Sequence, residues 1–242
     1  MGDKIPQGLE KTLLVKEGVF DLLQEWKGID RLAPQYDDLA LLYDVVRRQQ
    51  SKIIWEFGCG YSTLVLSAAI QKNKEEWKGD AKNYEKILKF WTHYVIETDN
   101  RRQWWDDTID NVDRIITTTN IVPHLSPVVI GDFCGRVCHY HTSLPKIMPT
   151  FAYLDGPDPQ DVMGTLHGFN FQNSALVPMS ADLLFVEPLM WIGTLILVDG
   201  REANCSFLGN NFQRNWDVTW IKDGDSTLFH LKDGPFVEDK QI

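Results

Sequence analysis

The chain has 242 residues, enough for one α/β domain with a large core, and its 43% hydrophobic and 24% charged fractions are those of a globular protein. A formal net charge of −10 removes the basic footprint that nucleic-acid binding requires. No stretch approaches the roughly 18 consecutive apolar residues of a membrane helix, the N-terminal stretch lacks a signal-peptide pattern, and Cys59, Cys134, Cys138 and Cys205 are too few for a disulfide framework, so the expectation is a reduced, cytoplasmic protein that engages neither nucleic acid nor membrane.

In chain order, residues 8–27 carry Leu9, Leu13, Leu14, Phe20, Leu23 and Trp26 at helical spacing. Pro34 then opens a second helical pattern with Leu39, Leu42, Tyr43 and Val46 on one face. Residues 1–50 thus read as an N-terminal helical cap on a core of residues 51–242, the whole of 1–242 being one domain. Arg47-Arg48 and Arg101-Arg102 read as solvated helix faces. Residues 52–57 form a buried strand closed by Gly58, and residues 62–71 a helix with Ser62 or Thr63 as its N-cap. A charged insertion follows, with a helical stretch at 84–90; Tyr94-Val95-Ile96 is the next strand, ending at Glu97. Residues 100–112 predict a helix with Trp104, Trp105 and Ile109 facing inward. Val128-Val129-Ile130 and residues 136–140 are strand candidates around a turn at Cys134-Gly135. Phe151 to Leu154 is a short apolar strand stopping at Asp155-Gly156-Pro157; residues 181–190 are helical; residues 194–198 form a strand ending at Asp199-Gly200; residues 202–213 form another helix. Residues 217–221 and 227–231, joined by Asp223-Gly224-Asp225, read as a hairpin.

Alternating strands and helices predict a mostly parallel sheet covered on both faces, with ligands beyond the carboxyl ends of its strands. Three strand ends carry the right chemistry: 56–60, 97–99 and 155–156. At the first, Gly58 and Gly60 let the backbone turn and approach a ligand, and the helix that follows offers free N–H groups. A dinucleotide reading is disfavoured, because the third glycine of G-x-G-x-x-G is replaced by Thr63 and Glu56 would repel a pyrophosphate.

The run Glu56-Phe57-Gly58-Cys59-Gly60-Tyr61-Ser62-Thr63-Leu64 resembles the first motif of class I S-adenosylmethionine-dependent methyltransferases. Tyr94 to Glu97, Tyr153 to Pro157 and Gly193 to Asp199 resemble their second, fourth and fifth strands in the same order, so that the resemblance covers roughly residues 35–232. It implies a Rossmann-like seven-stranded, mostly parallel sheet with helices on both faces and an antiparallel C-terminal hairpin strand. It implies that Gly58, Cys59, Gly60 and Tyr61 lie against the amino-acid end of S-adenosylmethionine, that Glu56 organises the turn, and that Ser62 or Thr63 meets the cofactor carboxylate. Glu97 would take both ribose hydroxyls and Thr98 would sit near adenine. Asp132, after Gly131, stands where the family often has an adenine-side acid.

Methyl transfer needs alignment and exclusion of water, and a base when the acceptor must lose a proton. By the same resemblance, Asp155 and Asp199 would face the acceptor, and Arg201 would hold an anionic group or pair with one of them. Metal-dependent members commonly carry Asp-Asn at the later strand end; here Asp199 precedes Gly200, so no metal is expected. Cys134, Cys138, His139 and His141 match no zinc spacing and split between two strand faces, and His167 in a glycine-rich loop reads as a solvated residue near the acceptor side. The function expected is methyl transfer to a small-molecule or sugar-like acceptor. The alternatives are a non-catalytic S-adenosylmethionine-binding or scaffold protein of the same fold and, against Glu56 and Thr63, a nicotinamide-dependent oxidoreductase. The oligomeric state is open, a homodimer being compatible.

Overall fold

The computed structural model describes residues 5, 8–27, 33–77, 90–116, 120–171, 179–200, 202–222 and 225–232. The catalytic candidate Arg201, the hairpin-turn residues Asp223 and Gly224, and all but Phe90 of the expected helix at 84–90 lie outside the described residues.

The fold is organised around β1 (Ile53–Phe57), every residue of which is buried, as a strand covered on both faces demands. It pairs in parallel with β2 (Thr92–Glu97) on one side and β6 (Phe151–Leu154) on the other. Outward from these lie β3 (Ile121–Leu125), parallel to β2, and β7 (Leu195–Asp199), parallel to β6. The C-terminal strand β9 (Ser226–Leu231) runs antiparallel to β7 and is followed at the edge by β8 (Trp216–Ile221), so the order is β3-β2-β1-β6-β7-β9-β8. This is the Rossmann-like, seven-stranded, mostly parallel sheet that the resemblance implies.

Strand alternation divides the core between the two faces. Ile54, Phe151, Tyr153, Leu195 and Leu197 pack beneath α3 (Tyr36–Gln49), α4 (Tyr61–Glu76) and the end of α5 (Arg102–Ile115). Ile53, Trp55, Phe57, Leu154, Ile196 and Val198 pack on the other face against α6 (Asp182–Val186) and α7 (Glu202–Asn211). The predicted face of α3 is confirmed, with Leu39, Leu42, Tyr43 and Val46 all buried. No helix among the described residues is long and apolar enough to cross a membrane.

Three local expectations change. The single helix over 8–27 is a short 3₁₀ turn (Leu9–Lys11) followed by α1 (Leu13–Lys16) and α2 (Val19–Leu23), because Gly18 at φ 79° breaks the pattern and starts α2. β3 was not expected: Pro123 within it forfeits a ladder donor, which only an edge strand accommodates. Arg47 is not on a solvated face. It is 6% exposed and holds Glu17 and Glu76 at 2.8 Å each, while Arg48 beside it is exposed. The expected strands around Cys134-Gly135 form a separate two-stranded antiparallel sheet, β4 (Val128–Phe133) with β5 (Arg136–His141).

Candidate functional site

A cavity of about 720 Å³ opens at the carboxyl ends of β1, β2, β6 and β7, where a sheet of this topology places its ligands. Gly58, Cys59, Gly60, Tyr61, Ser62, Glu97, Asp155 and Asp199 all line it. The cap closes it from above through Trp26, Gln35 and Asp38, and α5 from the side through Trp104, Asp107 and Asn111.

Two turns form the floor. Gly58 has φ 101°, a conformation that L side chains rarely adopt. Its backbone abuts Gly156 in the turn after β6. A Cβ on Gly156 would stand 2.9 Å from Gly58 N and 3.0 Å from Phe57 O, so neither turn could keep its place with a side chain there. Gly156 N–H also donates to Phe57 O at 2.7 Å. Gly60 differs from expectation: its φ of 163° is extended backbone, and a Cβ there would meet only Trp104 at 3.8 Å. The steric requirement therefore rests on Gly58 and Gly156 rather than on Gly58 and Gly60.

Neither Ser62 nor Thr63 is the N-cap of α4. Gly60 is the N-cap, and Thr63, fully buried in the first turn, accepts the Gly60 N–H through Oγ1 at 3.0 Å. Thr63 is thus not part of the cavity wall, and its expected contact with a cofactor carboxylate is corrected to a capping role. Ser62 does line the cavity, but its hydroxyl donates to Glu56 Oε1 at 2.5 Å, so toward a ligand it presents lone pairs. Glu56 is fully buried under α4. Its Oε2 lies 2.9 Å from His93 Nε2, and His93 Nδ1 lies 3.0 Å from Ser67 Oγ. Glu56 therefore braces the turn from within and does not reach the cavity.

Glu97, at the end of β2, is 6% exposed and on the cavity wall. It accepts the Thr98 N–H at 2.8 Å and the Cys59 thiol at 3.7 Å. Burial raises its pKa, and the Thr98 N–H pulls in the other direction. Burial, then the Glu97 and Glu56 carboxylates, push the Cys59 thiol far up, so Cys59 serves as a neutral donor and not a nucleophile. Trp104 Nε1 donates to Cys59 O at 2.7 Å, tying α5 to the glycine turn. Thr98 is buried off the wall, which corrects its placement beside a ligand.

At the opposite end, β6 and β7 deliver Tyr153, Asp155 and Asp199. Tyr153 OH donates to Asp199 Oδ2 at 3.1 Å, and Ser226 Oγ lies 3.4 Å from Asp199 Oδ1. Burial, then the Asp155 and Asp199 charges, push the Tyr153 phenol well above its ordinary range. Asp38, in the first turn of α3, completes this end and was not expected. Burial raises its pKa from 3.8 to about 6, helped by the charges of Asp199, Asp37 and Asp225. Its signal was the Asp37-Asp38 pair just after the helix-opening Pro34. Arg101, expected on a solvated face, is at the cavity and neutralised by Asp158 at 3.0 Å and Asp161 at 2.6 Å.

The remaining candidates fall elsewhere. Asp132 is exposed and accepts the Gly135 N–H in the β4–β5 turn at 3.0 Å, so it is not an adenine-side acid. His167 is exposed and off the cavity wall. Cys134 sits exposed at the hairpin turn and Cys138 lies in the core, while His141 pairs with buried Asp182 at 3.0 Å. Among the described residues, no group of three His, Cys, Asp or Glu side chains is arranged to hold a metal ion.

No family profile and no curated protein matches the chain. Among solved structures, it is similar to the O-methyltransferase TomG from Streptomyces achromogenes, involved in tomaymycin synthesis and in complex with SAM, at 15% identity and a TM-score of 0.47 over 95% of this chain and 92% of that one. It is similar to the SAH-bound methyltransferase PaMTH1 of Podospora anserina at 11% identity and a TM-score of 0.47, covering 96% of this chain and 100% of that one. The O-methyltransferase from Bacillus cereus in complex with SAH gives 12% identity and a TM-score of 0.45, over 94% and 96% of the two chains.

Proposed function

We propose that the chain is an S-adenosylmethionine-dependent methyltransferase acting on a small-molecule acceptor. The observation that carries this reading is the meeting, on one cavity wall, of the glycine turn 58–60 with the Glu97 carboxylate of the neighbouring strand. A buried carboxylate that still has lone pairs to offer suits two adjacent ribose hydroxyls. The lone pairs of Ser62, on the cavity wall beside Gly58 and Gly60, suit the ammonium group of the cofactor's amino-acid end. The backbone N–H groups at the start of α4 suit its carboxylate. A wall carrying Asp38, Glu97, Asp155 and Asp199 favours a ligand with a positive sulfonium.

When bound, the cofactor supplies a methyl group already activated by sulfonium charge. The chain's own contribution is to orient and to exclude water: the cap, through Trp26 and Asp38, covers the cavity, and Trp104 fixes the turn by its bond to Cys59 O. Asp155 and Asp199 stand at the strand ends where the acceptor would lie. With this reading goes a cytoplasmic location, supported by four free thiols.

Titration calorimetry with S-adenosylmethionine tests the proposal. Saturable binding is expected, weakened by Glu97→Gln; a flat titration with folded protein overturns it.

A further inference from the structure

We infer that the acceptor is an amine that arrives as an ammonium ion, and that Asp38 receives the proton it must lose before it can be methylated. The inference rests on the cofactor reading above and concerns the end of the same cavity that the cofactor does not explain. There, four elements converge: the first turn of α3 with Asp38, the end of β6 with Tyr153, the end of β7 with Asp199, and the start of β9 with Ser226.

Of the carboxylates at this end, Asp38 and Asp199 are in different states. Asp199 is pinned, with Tyr153 OH on one oxygen and Ser226 Oγ beside the other. It is a fixed charge whose direction is set by buried side chains. Asp38 is on the cavity wall, and among the described residues the charges acting on it are those of Asp199, Asp37 and Asp225. Of the two basic residues on the described cavity wall, Arg101 is committed to Asp158 and Asp161, and Lys27 belongs to the cap on the α5 side, where its backbone N–H donates to Asn111 Oδ1.

Such a site discriminates by the charge that the acceptor carries. A hydroxyl acceptor must develop negative charge on oxygen as it attacks, and here that charge would grow beside carboxylates. An ammonium is drawn to the same place, and its N–H groups satisfy carboxylate oxygens. It cannot be methylated in that form, because its nitrogen has no lone pair. Asp38, raised toward neutrality by burial, is the better placed of these two carboxylates to take the proton, since Asp199 is already held by Tyr153 and Ser226.

The step balances as follows. One N–H bond of the ammonium breaks, its proton goes to Asp38, and the electron pair stays on nitrogen. That pair forms the new N–C bond to the methyl carbon as the carbon–sulfur bond of the sulfonium breaks, and its electrons return to sulfur as a neutral thioether. The product is a methylated ammonium ion, and Asp38 releases its proton to water. Asp199, held by Tyr153 and Ser226, keeps the cation in place.

The test uses full-length protein and is read by binding, so that it does not depend on turnover. S-adenosylhomocysteine is titrated first, and its failure to bind removes the cofactor reading alone. Matched probes are then compared by thermal shift and calorimetry, with and without S-adenosylhomocysteine: benzylamine against benzyl alcohol, putrescine against butanediol, and glucosamine against glucose. The amines are expected to bind at least about tenfold more tightly than their hydroxyl counterparts. That preference is expected to shrink by about tenfold in Asp38→Asn, and likewise in Asp199→Asn, which serves where the first variant folds poorly. Amines that stabilise the protein no more than their alcohols overturn the acceptor class. A preference that survives intact in a folded Asp38→Asn protein overturns the role of Asp38.

Discussion

The two ends of α3 handle charge in opposite ways. At its C-terminal end, Arg47 is 6% exposed and fully engaged: Glu17 and Glu76 each lie at 2.8 Å, Asn73 accepts from it, and Tyr43 OH donates to the same Glu17 at 2.7 Å. At its N-terminal end, Asp38 faces a cavity among like charges. The first arrangement fastens the cap to α4, which carries Asn73 and Glu76. The second presents a charge that a ligand in the cavity can answer. One helix therefore serves as a fastening at one end and as a wall of the site at the other, and the contrast separates what the cap does for the fold from what it does for chemistry.

The contrast can be broken most forcibly at Arg47. Arg47→Ala leaves part-buried Glu17 and buried Asn73 without their cationic partner and should lower the unfolding free energy by about 2–3 kcal/mol in a urea titration. A loss under about 1 kcal/mol, the value of an exposed pair, would mean that the fastening is illusory. Next is Gly156→Ala, whose Cβ would press on Gly58 N at 2.9 Å. It should cost about 1–3 kcal/mol of stability by overpacking and weaken cofactor binding without removing any ligand contact. Glu97→Gln keeps the shape and removes the charge. A rise of about tenfold in the cofactor dissociation constant, read by calorimetry, is expected.

The smallest effect sharpens the comparison most, because the two ends titrate with opposite sign. The folded-state pKa of Asp38 is raised from 3.8 to about 6, so the native protein gains stability as pH falls through that window. Asp38→Asn should melt slightly higher than the parent above about pH 6 and lose that advantage below 3.8. Glu17 behaves the other way. Hydrogen bonds from Arg47 and Tyr43 hold its pKa below 4.5 despite burial, so its contribution is present above 4.5 and fades as pH falls through the lower folded value. Melting curves of Asp38→Asn and Glu17→Gln across this range check the signs. Two variants that shift in the same direction would undo the distinction between the ends.

Much of this was legible along the chain because it depends on local pattern. β1, β6 and β7 are short apolar runs that stop at Gly or Asp, and α3 shows its buried face at helical spacing. The residues that were misread are those whose role is set by a distant partner. Glu56 sits next to the glycine turn and looks ligand-facing, but it shares strand parity with Ile54 and so points under α4, where His93 and Ser62 meet it. Arg47 looks like half of a solvated pair until the cap brings Glu17 against it. Gly156 reads as the end of a strand, and only the register of β6 on β1 reveals that it is packed backbone to backbone with Gly58. β3 carries a proline, and pattern alone discounts a strand that contains one.

The placement of β9 bears on how the chain is made. During synthesis β8 leaves the ribosome before β9, yet it has no direct place against β7, since β9 lies between them. Until residues 226–231 emerge, the flank of β7 is an open edge and β8 has nothing to join. Exposure of that nascent edge is a window for association with other chains, and a ribosome that pauses between the two strands would lengthen it.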